Sequence, residues 1–266
     1  MEEANELLTE RRDRIGVLIL NRPERRNALS PRLLIAVHEK LEAWAGEGEI
    51  RTVVIRGAGE KAFSSGYDIL AIPTDVTPET ASRLRDGNPL QLALESVKNY
   101  PYPTIAMLNG HCFGGAVHLA LCCDLRVGAD DIAMGIPPAR LGVVYPHEGI
   151  AQVAQVLGMA RTREVFFTGR SYRGDALRAI GLVDRLVPRS ELEATSYGLA
   201  EEISRNAPLA LKGMKRILNL IEGSALLSGE ARREAEDLFA AALQSEDAKE
   251  GQKAFIEKRE PSFLGR

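Results

Sequence analysis

The chain has 266 residues, a formal net charge of −3 and 45% hydrophobic residues, with a pI near 5.9. It is long enough to bury a substantial core, either as one large α/β domain or as one domain with a smaller appendage. The slightly acidic balance gives no support to the concentrated Lys and Arg surface that nucleic acid or an anionic membrane requires, and basic pairs such as Arg25-Arg26 are local.

The opening Met1-Glu2-Glu3-Ala4-Asn5 is acidic and lacks an apolar centre, so no secretory or transit signal is expected there. No uninterrupted apolar run is long enough to span a bilayer. Ile15 to Leu20, an apolar run rich in β-formers, predicts the first strand. Ser30 is placed to cap a helix and Pro31 suits its first turn. Leu33, Leu34, Val37, Leu41, Trp44 and Ala45 form its apolar stripe, which should pack on a sheet. A second strand is expected over Thr52 to Arg56, ahead of the turn Gly57-Ala58-Gly59-Glu60. The polar stretch Pro73 to Asn88 is the best candidate for a mobile segment. Further strands are expected over Thr104 to Leu108 and Leu125 to Val127, with helical patterns between, an alternation that favours an α/β domain. Strand signals stop near residue 190. Helices follow, one begun at Asn206-Ala207-Pro208 and another carrying Ala231, Ala235, Leu238, Phe239 and Ala242 on one face. This divides the chain into a core over residues 1–195 and a helical subdomain over 196–266, whose stripe serves either its own core or subunit assembly.

Cys112, Cys122 and Cys123 share one apolar stretch without the spacing of a zinc site or a disulfide framework, and four histidines are scattered. No metal is expected, and a reducing cytoplasm is the simplest home.

Two segments carry the chemistry. Phe63-Ser64-Ser65-Gly66-Tyr67-Asp68-Ile69 follows a strand with small residues that let a ligand approach the backbone. A helix starting near Tyr67 would present unpaired N–H groups, although from this segment alone an ordinary glycine turn is the simpler reading. The second, Asn109-Gly110-His111-Cys112-Phe113-Gly114-Gly115-Ala116-Val117-His118, leads from a strand into an apolar helix. Neither the G-x-G-x-x-G dinucleotide pattern nor a G-x-x-x-x-G-K-[ST] phosphate loop is present in it. Two preorganised donors aimed at one developing oxyanion are a strong catalytic device, each worth roughly 3 kcal/mol in the transition state.

The sequence resembles the crotonase, or enoyl-CoA hydratase/isomerase, superfamily over nearly its whole length. The matching pieces are Asn21-Arg22-Pro23 with Asn27-Ala28-Leu29, FSSGYDI at 63–69, NGHCFGGAVHLALCCDL at 109–125 and RLGVVYPHEG at 140–149. The resemblance implies a spiral of β-strand and helix repeats with a C-terminal helical trimerisation region, assembled as a homotrimer or as a hexamer of two trimers. It implies that the N–H groups of Tyr67 and Gly115 grip a thioester oxygen. It also implies that Arg26, Ala28, Ser65, Asp68 and Ile69 contact coenzyme A, which enters as part of the substrate; no permanently bound cofactor is implied.

The pattern departs from the family's hydratases at two positions, where His118 and Pro138 stand in place of glutamates. Proline transfers no proton, and one imidazole does not reproduce a carboxylate pair. Within the superfamily the sequence resembles the methylmalonyl-CoA decarboxylases, through Asn88-Pro89-Leu90, FGGAVH, LGVVY at 141–145 and the tail from 245 to 266. That resemblance implies a chemical role for Tyr145 and a coenzyme A contact for Lys258. Decarboxylation needs no general base, because loss of CO2 itself yields the enolate, and a pocket without ionised glutamates suits an anionic substrate. Tyr145 would orient the carboxylate or supply a proton, despite an ordinary pKa of about 10, or simply seal the pocket. His118 is either a catalytic group or a hydrogen-bonded core histidine. His38 and His111 are expected in surface or packing roles. Two other functions remain open: hydration or isomerisation through Glu148 or His118, and acyl-CoA binding without turnover.

Overall fold

The computed structural model describes residues 5–68, 88–141, 145–222, 245–259 and 261–266, together with residues 229, 230, 233, 234 and 237. Most of the stretch Pro73 to Asn88, and most of the helix expected around Ala231 to Ala242, therefore lie outside the described residues.

β1 (Leu7–Arg12) and β2 (Ile15–Leu20) form an antiparallel hairpin whose turn places Asp13 in the left-handed region, with φ 52°. Only Leu7 of β1 is buried, as befits a strand at a sheet edge. β2 is apolar throughout and buried on both faces, the pattern of an internal strand in a parallel sheet. It pairs in parallel with β3 (Thr52–Gly57), and β5 (Thr104–Leu108), β7 (Leu125–Ala129) and β10 (Arg185–Val187) extend the sheet. The order is β1-β2-β3-β5-β7-β10, parallel at every pair but the first. A smaller sheet contains β4 (Ala62–Ser64), β6 (His111–Phe113), β8 (Ala133–Gly135) and β9 (Tyr172–Arg173), with only the last pair antiparallel.

The chain repeats one unit: a strand in the large sheet, a short strand in the small sheet, then a helix. β3 and β4 precede α2 (Pro89–Asn99), and β5 and β6 precede α3 (Gly115–Cys122). β7 and β8 precede α4 (His147–Leu157) and α5 (Met159–Thr168). This is the expected α/β spiral. Both sheets run from strand to helix in the same sense, so the turns after β4 and β6 meet at one edge, where parallel strands expose their carboxyl ends.

Before β3, α1 (Pro31–Glu47) begins as its sequence predicts: Ser30 Oγ accepts the Leu33 N–H at 3.1 Å, and Pro31 occupies the first turn. Leu33, Leu34, Val37, Leu41 and Trp44 are buried. Trp44 lies on Gly16, where an added Cβ would stand 2.5 Å from the indole. After α6 (Asp175–Ile180) and β10, α7 (Leu192–Ser204) packs on β2, β3, β5 and β7. α8 (Pro208–Glu222) is fastened by Lys215, whose buried Nζ donates to Asp124 Oδ2 at 2.7 Å and to the Tyr102 carbonyl at 3.0 Å. α9 (Glu246–Glu257) leads to the tail, where Asp247 accepts the N–H groups of Leu264 and Gly265 and Arg51 donates to the Phe263 carbonyl.

Candidate active site

The two glycine-containing segments are in contact. A Cβ on Gly115 would lie 3.4 Å from the Tyr67 nitrogen. One on Gly66 would lie 2.6 Å from the Phe113 carbonyl oxygen and 3.3 Å from the Gly115 nitrogen. With φ at +99°, Gly66 also adopts a conformation that residues with a Cβ avoid. Glycine is required there on both counts.

The segment from Ile69 onward, where the expected helix would run, lies outside the described residues, but Tyr67 itself sits in an isolated parallel bridge to Leu29 that frees its N–H. In that bridge the Gly66 carbonyl accepts from Leu29 N at 2.8 Å and Asp68 N donates to the Leu29 carbonyl at 3.0 Å, so the pleat turns the N–H of Tyr67 to the other side. On the neighbouring segment Gly114, at φ 54°, leads into α3, and Gly115 is its first residue, where an α-helix leaves the N–H unbonded. Among the described residues nothing accepts from either the Tyr67 or the Gly115 N–H. Leu90 of α2 approaches the same point, with Cδ2 3.6 Å from the added Gly115 Cβ. The arrangement is thus a pair of backbone donors with apolar walls.

Arg26, Ala28, Ser65 and Asp68 form one rim beside the donors. Ser65 N donates to the Arg26 carbonyl at 2.9 Å, and Ser65 Oγ to the Arg25 carbonyl at 3.3 Å. Arg26 and Asn27 are both left-handed, at φ 52° and 55°, and Arg26 and Ser65 are exposed while Ala28 is buried. Ile69 lies outside the described residues. Lys258 is exposed just past α9. Its tail is tied through Phe263 to Arg51, at the start of β3, the end of that strand away from the donors.

His118, at the end of the first turn of α3, is buried, and no described residue hydrogen-bonds its ring. Burial, and then the charge of Lys98, depress its pKa to about 4, with Glu148 opposing. The imidazole is therefore neutral at physiological pH. Tyr145 stands beside it, ring centroids 6.3 Å apart, and contacts Phe166 at 5.3 Å. Burial pushes the Tyr145 phenol well above its ordinary value, so it too is neutral. Gly149 of α4 lies against both, since a Cβ there would be 2.8 Å from Tyr145 Cδ1 and 3.2 Å from His118 Nδ1. Neither Gly149 nor Leu90 stands out in the sequence as a site residue; a glycine four residues after an aromatic ring was the available signal for the first.

His147 is exposed and pairs with Glu148, which is half exposed, at 3.2 Å. Pro138 begins the 3-10 turn Pro138–Leu141. His38 bonds Ser96 Oγ at 2.6 Å and His111 Nδ1 accepts from Ala133 N at 3.0 Å, so both hold structure. The three cysteines are buried free thiols held up in pKa by that burial.

Paired N–H groups beside neutral polar side chains are equipped to stabilise negative charge developing on a carbonyl oxygen. Comparison with known proteins agrees in class. A short-chain-enoyl-CoA hydratase of Clostridium acetobutylicum is 31% identical over 257 residues, 97% of each chain. A carnitinyl-CoA dehydratase of Salmonella heidelberg is 32% identical over 252 residues, 94% of each. The crystal structure of an enoyl-CoA hydratase/carnithine racemase from Magnetospirillum magneticum superposes with a TM-score of 0.92 at 32% identity, covering 99% of this chain and 97% of that one. Residues 10–266 match the enoyl-CoA hydratase/isomerase family, and the chain belongs to it.

Proposed function

We propose that the protein decarboxylates a malonyl-type coenzyme A thioester, of which methylmalonyl-CoA is the simplest candidate. The observation that carries this is the donor pair, the free N–H groups of Tyr67 and Gly115, set with a buried, neutral His118, because loss of CO2 yields the enolate without a general base. The relatives above are named for hydration and dehydration, and the proposal departs from those names on that ground. In the proposed reaction the thioester oxygen sits between the Tyr67 and Gly115 N–H groups. The bond from Cα to the carboxylate breaks, its electron pair forms the enolate, and CO2 leaves. Protonation at Cα, from the Tyr145 hydroxyl or a water it orients, gives the acyl-CoA product. His118 and Tyr145 are neutral and the carboxylate of Asp68, next to the Tyr67 donor, is paired with Arg22, which lessens the like charge that the substrate carboxylate meets.

The rim of Arg26, Ala28, Ser65 and Asp68, extended by Ile69, would hold coenzyme A. Lys258 would serve that role from a neighbouring copy, its own tail being anchored at the other end of β3. Assembly as a trimer or hexamer is consistent with the exposed Met214, Leu218 and Ile221, which share one face of α8.

Hydration or isomerisation is the second reading, favoured by Glu148, whose charge reaches His118. One panel separates the readings: methylmalonyl-CoA, ethylmalonyl-CoA and crotonyl-CoA with purified protein, analysed by mass spectrometry. Loss of CO2 from the first two supports the proposal. Hydration of crotonyl-CoA that disappears in Glu148→Gln, with the malonyl esters untouched, overturns it. Tight binding of every ester without turnover would mark an acyl-CoA-binding protein.

A further inference from the structure

Arg22 stands outside the chemistry described above, yet it holds the element that aims one of the two donors. Its side chain is 15% exposed, and Nη1 donates both to the Ala28 carbonyl at 2.8 Å and to Asp68 Oδ2 at 3.0 Å. Its Nε lies 3.4 Å from Glu6 Oε1, and Glu6 in turn accepts from the Ser30 hydroxyl. The backbone of Arg22 is fixed as well, its N–H donating to Asn27 Oδ1 at 3.1 Å and its carbonyl accepting from Asn27 N at 2.8 Å. Asn27 completes the frame by donating to the carbonyls of Ala58 and Ala62.

The two acceptors of Arg22 Nη1 flank the bridge that frees the Tyr67 N–H. Ala28 precedes Leu29 on one side of the bridge, and Asp68 follows Tyr67 on the other. A single guanidinium nitrogen thus ties the two segments together one residue from the donor. The bridge lies outside the strands of both sheets. It rests on two backbone hydrogen bonds, and the turn beside it holds Arg26 and Asn27 in left-handed conformations that persist only where the surroundings impose them. A charge-assisted bond in a mostly buried setting is stronger than the neutral bonds it reinforces.

We propose that Arg22 is a positioning residue for the oxyanion site: by clamping Ala28 to Asp68 it fixes the Leu29–Tyr67 pairing and so sets the direction of the Tyr67 N–H. This rests on the assignment of the Tyr67 and Gly115 N–H groups as the thioester donors. It does not depend on which acyl group reacts. A donor turned by a few tens of degrees still contacts the ligand but loses most of its hydrogen bond to the oxygen.

The test uses the full-length protein with butyryl-CoA carrying 13C at the carbonyl, followed by infrared difference spectroscopy and by calorimetric affinity. In the wild-type protein the carbonyl band of bound ligand moves to lower wavenumber than in water. Arg22→Gln is expected to lose at least half of that shift while binding butyryl-CoA within about tenfold of the wild-type affinity, since one misaimed hydrogen bond is a small part of the binding energy. Arg22→Lys, which keeps the charge but not the fork, should recover part of the shift, and it carries the test should Arg22→Gln fail to fold. A wild-type band in either variant that folds overturns the role of Arg22. A wild-type protein whose bound ligand shows no shift overturns the donor assignment itself and the role of Arg22 with it.

Discussion

The ring of Tyr145 rests on the bare Cα of Gly149: a Cβ at residue 149 would meet Cδ1 at 2.8 Å and Cε1 closer still, with His118 Nδ1 at 3.2 Å. Tyr145 precedes α4 by two residues, and its ring folds back over the first turn of that helix, much as a staple closes a helix entry. The side chain proposed to handle the proton is therefore placed by a glycine that touches no substrate in the proposed reaction.

Gly149→Ala should expel the ring from this position. The surrounding site is closed by Phe166 and His118, so the methyl group finds no room and overpacking costs about 1–3 kcal/mol of stability. Turnover is expected to fall in step with Tyr145→Phe if the hydroxyl acts chemically, whereas acyl-CoA affinity changes little. Urea denaturation and steady-state kinetics on both variants check this. A Gly149→Ala protein with wild-type stability would contradict the packing described.

His118 makes stability depend on pH in a definite direction. In the unfolded chain it takes up a proton near pH 6.5, but in the folded protein only near pH 4. Between those values protons favour unfolding, so the contribution of His118 to stability falls as pH drops from about 6.5 to about 4 and is level on either side. At about 1.4 kcal/mol per pH unit the loss is roughly 3 kcal/mol at most. Denaturation at pH 7.5 and 4.0 should show a smaller difference in His118→Gln than in the wild type. Equal differences would mean that the imidazole is not held neutral. For the same reason, the catalytic rate should show no titration of His118 near pH 6.5.

Much of the architecture was legible because its signals are local. Ser30 and Pro31 mark the start of α1, five of the six residues of its stripe are buried, and the strands at Ile15, Thr52, Thr104 and Leu125 lie where their apolar runs do. The small sheet was not legible. β4, β6 and β8 are three residues each, too short to show alternation, and exist by pairing across the spiral. The site divides in the same way. Small residues around Gly66 and Gly114 announced a close backbone approach, but the free N–H of Tyr67 depends on pairing with Leu29, which lies far off in sequence. The neutrality of His118 depends on burial and on Lys98 in another helix, and no run of residues around position 118 encodes it.

Gly66→Ala tests the donor pair directly. The methyl group would press on the Phe113 carbonyl at 2.6 Å and on the Gly115 nitrogen at 3.3 Å, separating the two segments that supply the donors, in a conformation with φ at +99°. Strain and overpacking should lower stability by about 1–3 kcal/mol. Losing one well-aimed donor should lower kcat by about 10²–10³-fold. The decisive comparison is with a substitution of similar cost placed away from the site, such as Val53→Ala at the start of β3, which should change stability and leave kcat nearly intact. If both variants lose activity only in proportion to the fraction unfolded, the Gly66 segment does not serve the chemistry.

The outer face of α8 makes a prediction about assembly that is independent of catalysis. Met214, Leu218 and Ile221 are 54%, 64% and 47% exposed, and their spacing puts them on one side of a helix that Lys215, beside that row, fastens to the core. An apolar row of this kind is costly in water and is relieved when another copy covers it. Leu218→Glu would bury a carboxylate in such a contact and should dissociate the assembly. It should leave the fold in place, because Leu218 is exposed within a single copy of the chain and belongs to no part of its buried core. Light scattering at micromolar concentration should give a multiple of 29.0 kDa for the wild-type protein and a smaller multiple for Leu218→Glu, with unchanged circular dichroism. A wild-type protein that scatters as 29.0 kDa would assign this face to some other partner. If the variant keeps the wild-type mass, assembly uses a different surface and Lys258 must be sought on another contact.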